Sequence, residues 1–369
     1  MKIHLVCAAR PNFVKVAPLY HALKKCEWAN PVIVHTGQHY DPAMSDAFFE
    51  DFQLPKPDFF LGVGSGTHSA QTGEVMVRYE ALCVQNRPDL VVVVGDVNST
   101  LAAALAAKKL NLPVAHLEAG LRSGDRSMPE EINRLATDAI SDYLWTPSSD
   151  ADENLRREGH AGTQIACVGN IMIDALEMLR GRILAERRSG KIGFAPGSYG
   201  VITMHRPSNV DDANRLRRIV GIFKDLAKDL PLVFPLHPRT SLRLQGAGLW
   251  DDLSSTPNLL LLESQNYISF LSMVFNSRFV ITDSGGVQEE TTYLGIPCFT
   301  LRDNTERPIT ILEGTNRLVK LETLLDAVRA ELSNPEAAKG PPRLWDGKAA
   351  DRIVAQIEGL ASRLTVSGA

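Results

Sequence analysis

The chain has 369 residues, 44% hydrophobic and 22% charged, an ordinary globular composition with material for two cores. Its net charge of -4 supplies no basic field for nucleic acid or an anionic membrane. Any phosphate site must therefore be local, made of a few cations and helix ends.

The five cysteines (Cys7, Cys26, Cys83, Cys167 and Cys298) lack metal-ligand spacing and read as small core residues in a reducing cytoplasm. The apolar run after Met1-Lys2 stops early at Arg10-Pro11 with no cleavage region, so it predicts a first strand over 3–8, not a signal peptide. Further apolar runs predict strands at 31–36, 90–95, 114–117, 143–146 and 165–168. Between them, 12–25 and 99–109 carry apolar residues at helical spacing. Such alternation implies a parallel sheet covered on both faces.

A charged helix-like stretch over 177–196 ends in Gly190, Gly193 and Pro196-Gly197, a boundary signal. Beyond it the grammar restarts, with strands predicted at 200–204, 232–236, 259–262, 279–282 and 298–301. The expected class is α/β, with two Rossmann-like doubly wound domains over 1–170 and 171–347 facing across a cleft. A last amphipathic segment, 348–369, follows Gly340-Pro-Pro342 and is expected to pack back on the first domain. No run reaches membrane-spanning length.

Three acidic positions carry the most chemical information: Asp96 after Val92-Val-Val-Gly95, Glu118 after Val114-Ala-His116-Leu, and Glu130 in Met128-Pro129-Glu130-Glu131. Asp96 and Glu118 fall at the carboxyl ends of predicted strands, where open α/β sheets place ligands and reactive groups. Carboxyls gathered on one sheet rim do not ionise independently, which suits proton transfer. His116 precedes Glu118 by two residues and either orients it or fills the core, the core reading being slightly favoured. Arg10 and Lys15 follow the first strand toward the same rim and would neutralise a diphosphate.

In the second half, Phe279-Val-Ile-Thr282-Asp283-Ser284-Gly285-Gly286 reads as strand, tight turn and helix start. Its glycines allow close approach, and its free N–H groups suit an anion. Glu289 and Glu290, one turn into that helix, are placed to accept ribose hydroxyls. No dinucleotide fingerprint or Walker loop is present. His205 and His237 end successive strands beside prolines, which favours function over a structural role. Arg302 and Arg307 repeat the cation arrangement of the first half. No His/Cys/Asp cluster has metal spacing, so neither metal nor cofactor is expected.

The motifs Ala9-Arg10-Pro11 with Lys15, Gly37-Gln38-His39, Gly95-Asp96-Val-Asn-Ser-Thr100, His116-Leu-Glu118-Ala-Gly-Leu-Arg122, Pro129-Glu-Glu-Ile-Asn133-Arg134, Val168-Gly-Asn170, His205-Arg206, Asp283-Ser-Gly-Gly-Val-Gln-Glu-Glu290 and Thr305-Glu-Arg-Pro308 occur in this order. Together they resemble the non-hydrolysing UDP-N-acetylglucosamine 2-epimerase family over nearly the full length. The resemblance implies the glycosyltransferase-B architecture, a UDP-amino-sugar substrate and a homodimer in the cytoplasm, with no nucleic acid or membrane partner. It implies inversion at C2 through loss of UDP, a bound 2-acetamidoglucal, and UDP re-addition.

By motif, Asp96 and Glu118 would be proton-transfer groups, Glu130 a supporting acid–base group, and His205 a partner of the departing diphosphate. Arg10, Lys15, His237, Arg307 and the Ser284-Gly285-Gly286 turn would hold the diphosphate, Glu290 the ribose and Phe270 the uracil. Two departures stand out. Members regulated by their own substrate carry a Gln or Glu where this chain has Asp41, and an Arg-Glu where it has Pro207-Ser208, which puts a second sugar-nucleotide site in doubt. Gln-His-Tyr-Asp also occurs in relatives acting on UDP-diacetamido uronic acids, leaving the C3 and C6 substituents open. A UDP-sugar glycosyltransferase, a hydrolysing epimerase and a catalytically silent sugar-nucleotide sensor are the competing readings.

Overall fold

Runs such as Leu90-Val-Val-Val-Val94 have no polar position to turn toward water, and all five residues are buried. Strands of this kind are stable only when helices cover both faces, as in parallel sheets. The computed structural model describes residues 1–8, 10–37, 49–335 and 339–366, without the side chains of residues 10, 11 and 363–366. The chain divides into two compact units, Met1–Met178 with Arg343–Ala369, and Leu179–Pro342.

The first unit runs β1 (Lys2–Cys7), α1 (Arg10–Lys24), β2 (Asn30–His35), β3 (Phe59–Phe60), α2 (His68–Gln85), β4 (Leu90–Val94) and α3 (Asn98–Lys109). It continues through β5 (Val114–Leu117), α4 (Pro129–Ile140), β6 (Tyr143–Thr146), α5 (Ser149–Arg157), β7 (Ile165–Cys167) and α6 (Ile171–Glu186), and the division falls inside α6. The second unit holds α7 (Arg188–Lys191), β8 (Gly200–Thr203), α8 (Pro207–Val210), α9 (Ala213–Leu226), β9 (Leu232–Pro235), α10 (Pro238–Gly246) and α11 (Trp250–Ser254). Then come β10 (Leu259–Leu262), α12 (Tyr267–Val274), β11 (Phe279–Thr282), α13 (Gly285–Leu294), β12 (Cys298–Thr300), α14 (Ile309–Leu312), β13 (Asn316–Leu318) and α15 (Leu324–Ser333). The final α16 (Ala349–Val366) packs on α1 in the first unit. Asp174 of α6 caps it, accepting from the Ala349 and Ala350 N–H groups at 3.1 and 2.7 Å.

The first sheet has the order β3-β2-β1-β4-β5-β6-β7 and the second β10-β9-β8-β11-β12-β13, with every pair parallel. These are the expected doubly wound α/β sheets. Each reverses direction of winding at its centre, between β1 and β4 and between β8 and β11, and such points open a crevice at the strands' carboxyl ends. In the first unit Val6, Val34, Val91 and Val93 meet Ala103, Ala104 and Ala107 of α3, whose small side chains let that helix lie close to the sheet. The core of the second unit gathers Phe223, Phe234, Phe279 and Phe299 among its members.

Candidate active site

At the first unit's switch point β4 ends in Gly95, whose φ of +69° suits glycine. A Cβ there would lie 3.3 Å from Lys15 Nζ and 3.6 Å from Glu118 Oε2, so the turn, Lys15 and Glu118 converge on one spot. Asp96 follows. Its Oδ2 accepts from Arg134 Nε and Nη2 at 3.0 and 2.6 Å, and its backbone carbonyl accepts from Asn133 Nδ2 at 2.9 Å. Arg134 also pairs with Glu131 at 2.5 Å. Burial pushes the Glu131 carboxyl up, but the Ser123 and Gly124 N–H groups and Arg134 outweigh this and hold it low. Glu131 is therefore a brace for the loop before α4, whereas Glu130 beside it is half-buried with no hydrogen-bond partner among the described residues.

Glu118 leaves β5 in the left-handed region, φ +71°, which costs a non-glycine residue about 1–3 kcal/mol. The N–H groups of Glu118 and Ala119 both donate to the Trp145 carbonyl at 3.1 Å, fixing this conformation. The carboxylate is 3% exposed and its Oε2 is bound by Lys15 Nζ. Its Oε1 is buried with no hydrogen-bond partner among the described residues. A buried carboxylate with one oxygen neutralised by a cation and the other free is arranged to exchange a proton with something placed against it. Lys15, expected beside a diphosphate, is thus found on Glu118. The Arg10 side chain and residues 38–41, which include His39 and Asp41, lie outside the described residues.

At the second unit's switch point Asp283 is the hub. Fully buried, it accepts from the N–H groups of His205 (3.1 Å) and Arg206 (2.9 Å) and from Asn209 Nδ2 (3.1 Å). It also lies 3.1 Å from His205 Nδ1. Burial raises the Asp283 carboxyl, but His205 and the backbone donors prevail and hold it below the usual range. His205 is thereby oriented, with its ring 5.4 Å from that of His237. His237 caps α10, its Nδ1 accepting from the Arg239 N–H at 3.1 Å.

Ser284 is the N-cap residue of α13, without a side-chain cap bond, so the helix start keeps donors for an anion. Gly285 permits a close approach: a Cβ would fall 2.7 Å from both Arg307 Nη1 and Glu306 Oε1, so those side chains would have to shift. Arg307 is itself held by Glu289 at 2.8 Å and Glu306 at 2.5 Å, and Arg302 joins Glu306 at 2.8 Å. This buried network shapes the turn. Glu290 Oε1 accepts from Tyr267 Oη at 2.7 Å, and Phe270 sits one turn further along α12, half-buried.

Sequence reasoning singled out Asp96, Glu118, His205 and the Ser284-Gly285-Gly286 turn; the structure sets Asp96, His205 and the turn at the switch points, and Glu118 at the end of β5, one strand along from β4. It missed Arg134, Asp283 and Tyr267 as their partners. Asp283, directly after an apolar strand like Asp96, carried the same signal. No group of three metal-ligating side chains that could hold an ion occurs among the described residues, nor is any helix among them long and apolar enough to cross a membrane.

Residues 21–358 match the family described as UDP-N-acetylglucosamine 2-epimerase. Over 365 residues, 96% of this chain and 98% of the other, the sequence is 43% identical to a UDP-N-acetylglucosamine 2-epimerase of Methanocaldococcus jannaschii. A crystal structure of the UDP-GlcNAc 2-epimerase from that organism, in complex with UDP-GlcNAc and UDP, aligns with a TM-score of 0.87 at 42% identity, covering 97% of this chain and 99% of that one. The chain is also 38% identical, over 96% of its length and 99% of the relative's, to the UDP-2,3-diacetamido-2,3-dideoxy-D-glucuronate 2-epimerase of Pseudomonas aeruginosa.

Proposed function

The chain belongs to the UDP-N-acetylglucosamine 2-epimerase family, and from that premise we propose that it interconverts UDP-N-acetylglucosamine and UDP-N-acetylmannosamine without net hydrolysis. A base removes the C2 proton as the C1–O bond to UDP breaks, leaving a C1=C2 double bond in 2-acetamidoglucal. UDP then re-adds at C1 while a proton reaches C2 from the opposite face. Two proton-transfer groups are needed, and Asp96 and Glu118 fill these roles, with Glu130 in support. The observation that carries the reading is Glu118, buried, bound by Lys15 through one oxygen and open at the other.

In the second unit the α13 N-terminus, His205 and His237 receive the diphosphate, and His205 stabilises the charge as UDP departs. Arg307 adds positive charge beside the Ser284-Gly285-Gly286 turn. Glu290 accepts from the ribose hydroxyls, and Phe270 stacks on uracil. The product serves as an amino-sugar donor for cell-surface polysaccharide.

The 38% identity to the diacetamido-glucuronate epimerase favours a second reading, in which the same C2 chemistry acts on a UDP-diacetamido uronic acid. Incubation of the purified protein with UDP-N-acetylglucosamine in deuterium oxide tests both. Proton NMR is expected to show deuterium at C2 and a new manno product that retains UDP. Inertness there with turnover of the uronate selects the second reading, free N-acetylmannosamine marks a hydrolase, and inertness toward both sugars removes the epimerase reading.

A further inference from the structure

We infer that His116 is a positioning residue that fixes the two acids of the first unit relative to each other, an inference that rests on the epimerase reading. The ring is fully buried. Its Nε2 lies 2.8 Å from the Gly95 carbonyl oxygen and its Nδ1 2.5 Å from Asp138 Oδ1. A carbonyl and a carboxylate are both acceptors, so each ring nitrogen faces an acceptor.

Asp138 in turn accepts from the Gly120 N–H at 3.0 Å and pairs with Arg122 at 2.7 Å, and Arg122 continues to Glu158 at 2.6 Å. Burial pushes the Asp138 carboxyl up, but attraction to His116 and Arg122 outweighs it and holds the group below the usual carboxylate range. Asp138 is thus a fixed anion on α4 against which the ring is held.

The ring consequently ties three elements together. Through Gly95 it holds the end of β4, one residue before Asp96; it stands on β5, two residues before Glu118; through Asp138 it holds α4, whose first turn carries Glu130. Asp138 also pins the Gly120 N–H, just beyond the left-handed Glu118, so that strained turn is held from Trp145 on one side and Asp138 on the other. Both nitrogens are satisfied, which is the condition for burying such a ring without penalty.

Asparagine and glutamine separate the two contacts, because the asparagine amide nitrogen overlays Nδ1 and the glutamine amide nitrogen approaches Nε2. With UDP-N-acetylglucosamine, H116N keeps a donor for Asp138 and loses the one for Gly95. Its kcat is expected to fall roughly 100-fold, the scale of a small misplacement of reacting groups, with KM within about threefold. H116Q restores the donor to Gly95 and is expected to recover at least about tenfold of that loss. A general loss of folded protein would lower both variants alike and would not distinguish them.

Equal kcat in both variants, whether at the wild-type level or equally reduced, overturns the inference. Should H116N fail to fold, D138N keeps the shape while removing the anion, and is expected to lower kcat at unchanged KM; a wild-type kcat there overturns the inference as well. Wild-type protein that takes up no deuterium at C2 sinks the epimerase reading itself. Wild-type turnover with indifferent His116 variants sinks only the role given to His116.

Discussion

The two units reverse their sheets at equivalent places, between β1 and β4 and between β8 and β11, and then furnish those places differently. In the first, ionisable side chains face one another: Lys15 on the buried Glu118, Arg134 on the half-buried Asp96, and His116 on the buried Asp138. In the second, Asp283 is turned inward on backbone N–H groups and His205, leaving a helix start and two imidazoles. The shared topology sets where a ligand can lie, and in the proposed function the side chains at the strand ends separate proton transfer from anion binding.

The sharpest way to break that contrast is to remove the cation paired with the buried Glu118 in the first unit. Lys15→Met leaves Glu118 buried and unpaired, and about 3–5 kcal/mol of stability should be lost on chemical denaturation. A change under 1 kcal/mol would mean that the pair is not formed in solution. In the second unit the equivalent assault is Gly285→Ala, whose methyl would displace Arg307 and Glu306 from the turn. UDP affinity measured by calorimetry should fall by about 10-fold or more, as expected when an overpacked turn costs 1–3 kcal/mol. Undiminished UDP binding would detach the turn from the nucleotide.

A smaller effect is expected from Tyr267→Phe, which takes one donor from Glu290. KM should rise about 2- to 10-fold at constant kcat, the scale of one hydrogen bond. A fall in kcat at constant KM would instead move Tyr267 into the chemistry.

The smallest effect concerns pH. Asp138 and Asp283 are each held below the ordinary carboxylate range, Asp138 against burial by His116 and Arg122, and Asp283 against burial by His205 and backbone donors. Because the unfolded chain binds these protons more readily, the stabilisation is complete above the unfolded pKa near 4 and is lost as pH falls through the lower folded values. Asp283→Asn should flatten the decline of melting temperature below about pH 4, and an unchanged acid slope would show that the carboxylate is not specially held.

Much of the fold was legible because a buried parallel strand is an unbroken apolar run. The ends of 114–117, 143–146, 259–262 and 279–282 match the observed β5, β6, β10 and β11. The edge strands β3 and β13 escaped. Phe59-Phe60 is only two residues long, and Asn316-Arg317-Leu318 carries polar side chains that an edge tolerates because one flank is unpaired. The strand-end acids could be read for the same reason as the strands. Their partners could not, since Lys15 and Glu118 are 103 positions apart and His205 and Asp283 are 78 apart, and one sequence holds no distance between them. Lys15 looked like an anion ligand because an isolated basic residue near a rim gives no sign of a buried carboxylate already pairing with it.

The division of labour between the two units is tested most directly by one sample of Glu118→Gln, assayed for UDP binding by calorimetry and for C2 exchange of UDP-N-acetylglucosamine in deuterium oxide. UDP should bind within about twofold of wild type while C2 exchange falls by about 100-fold or more, the contribution of a positioned acid–base group. Exchange at the wild-type rate would remove Glu118 from the proton path and contradict the account.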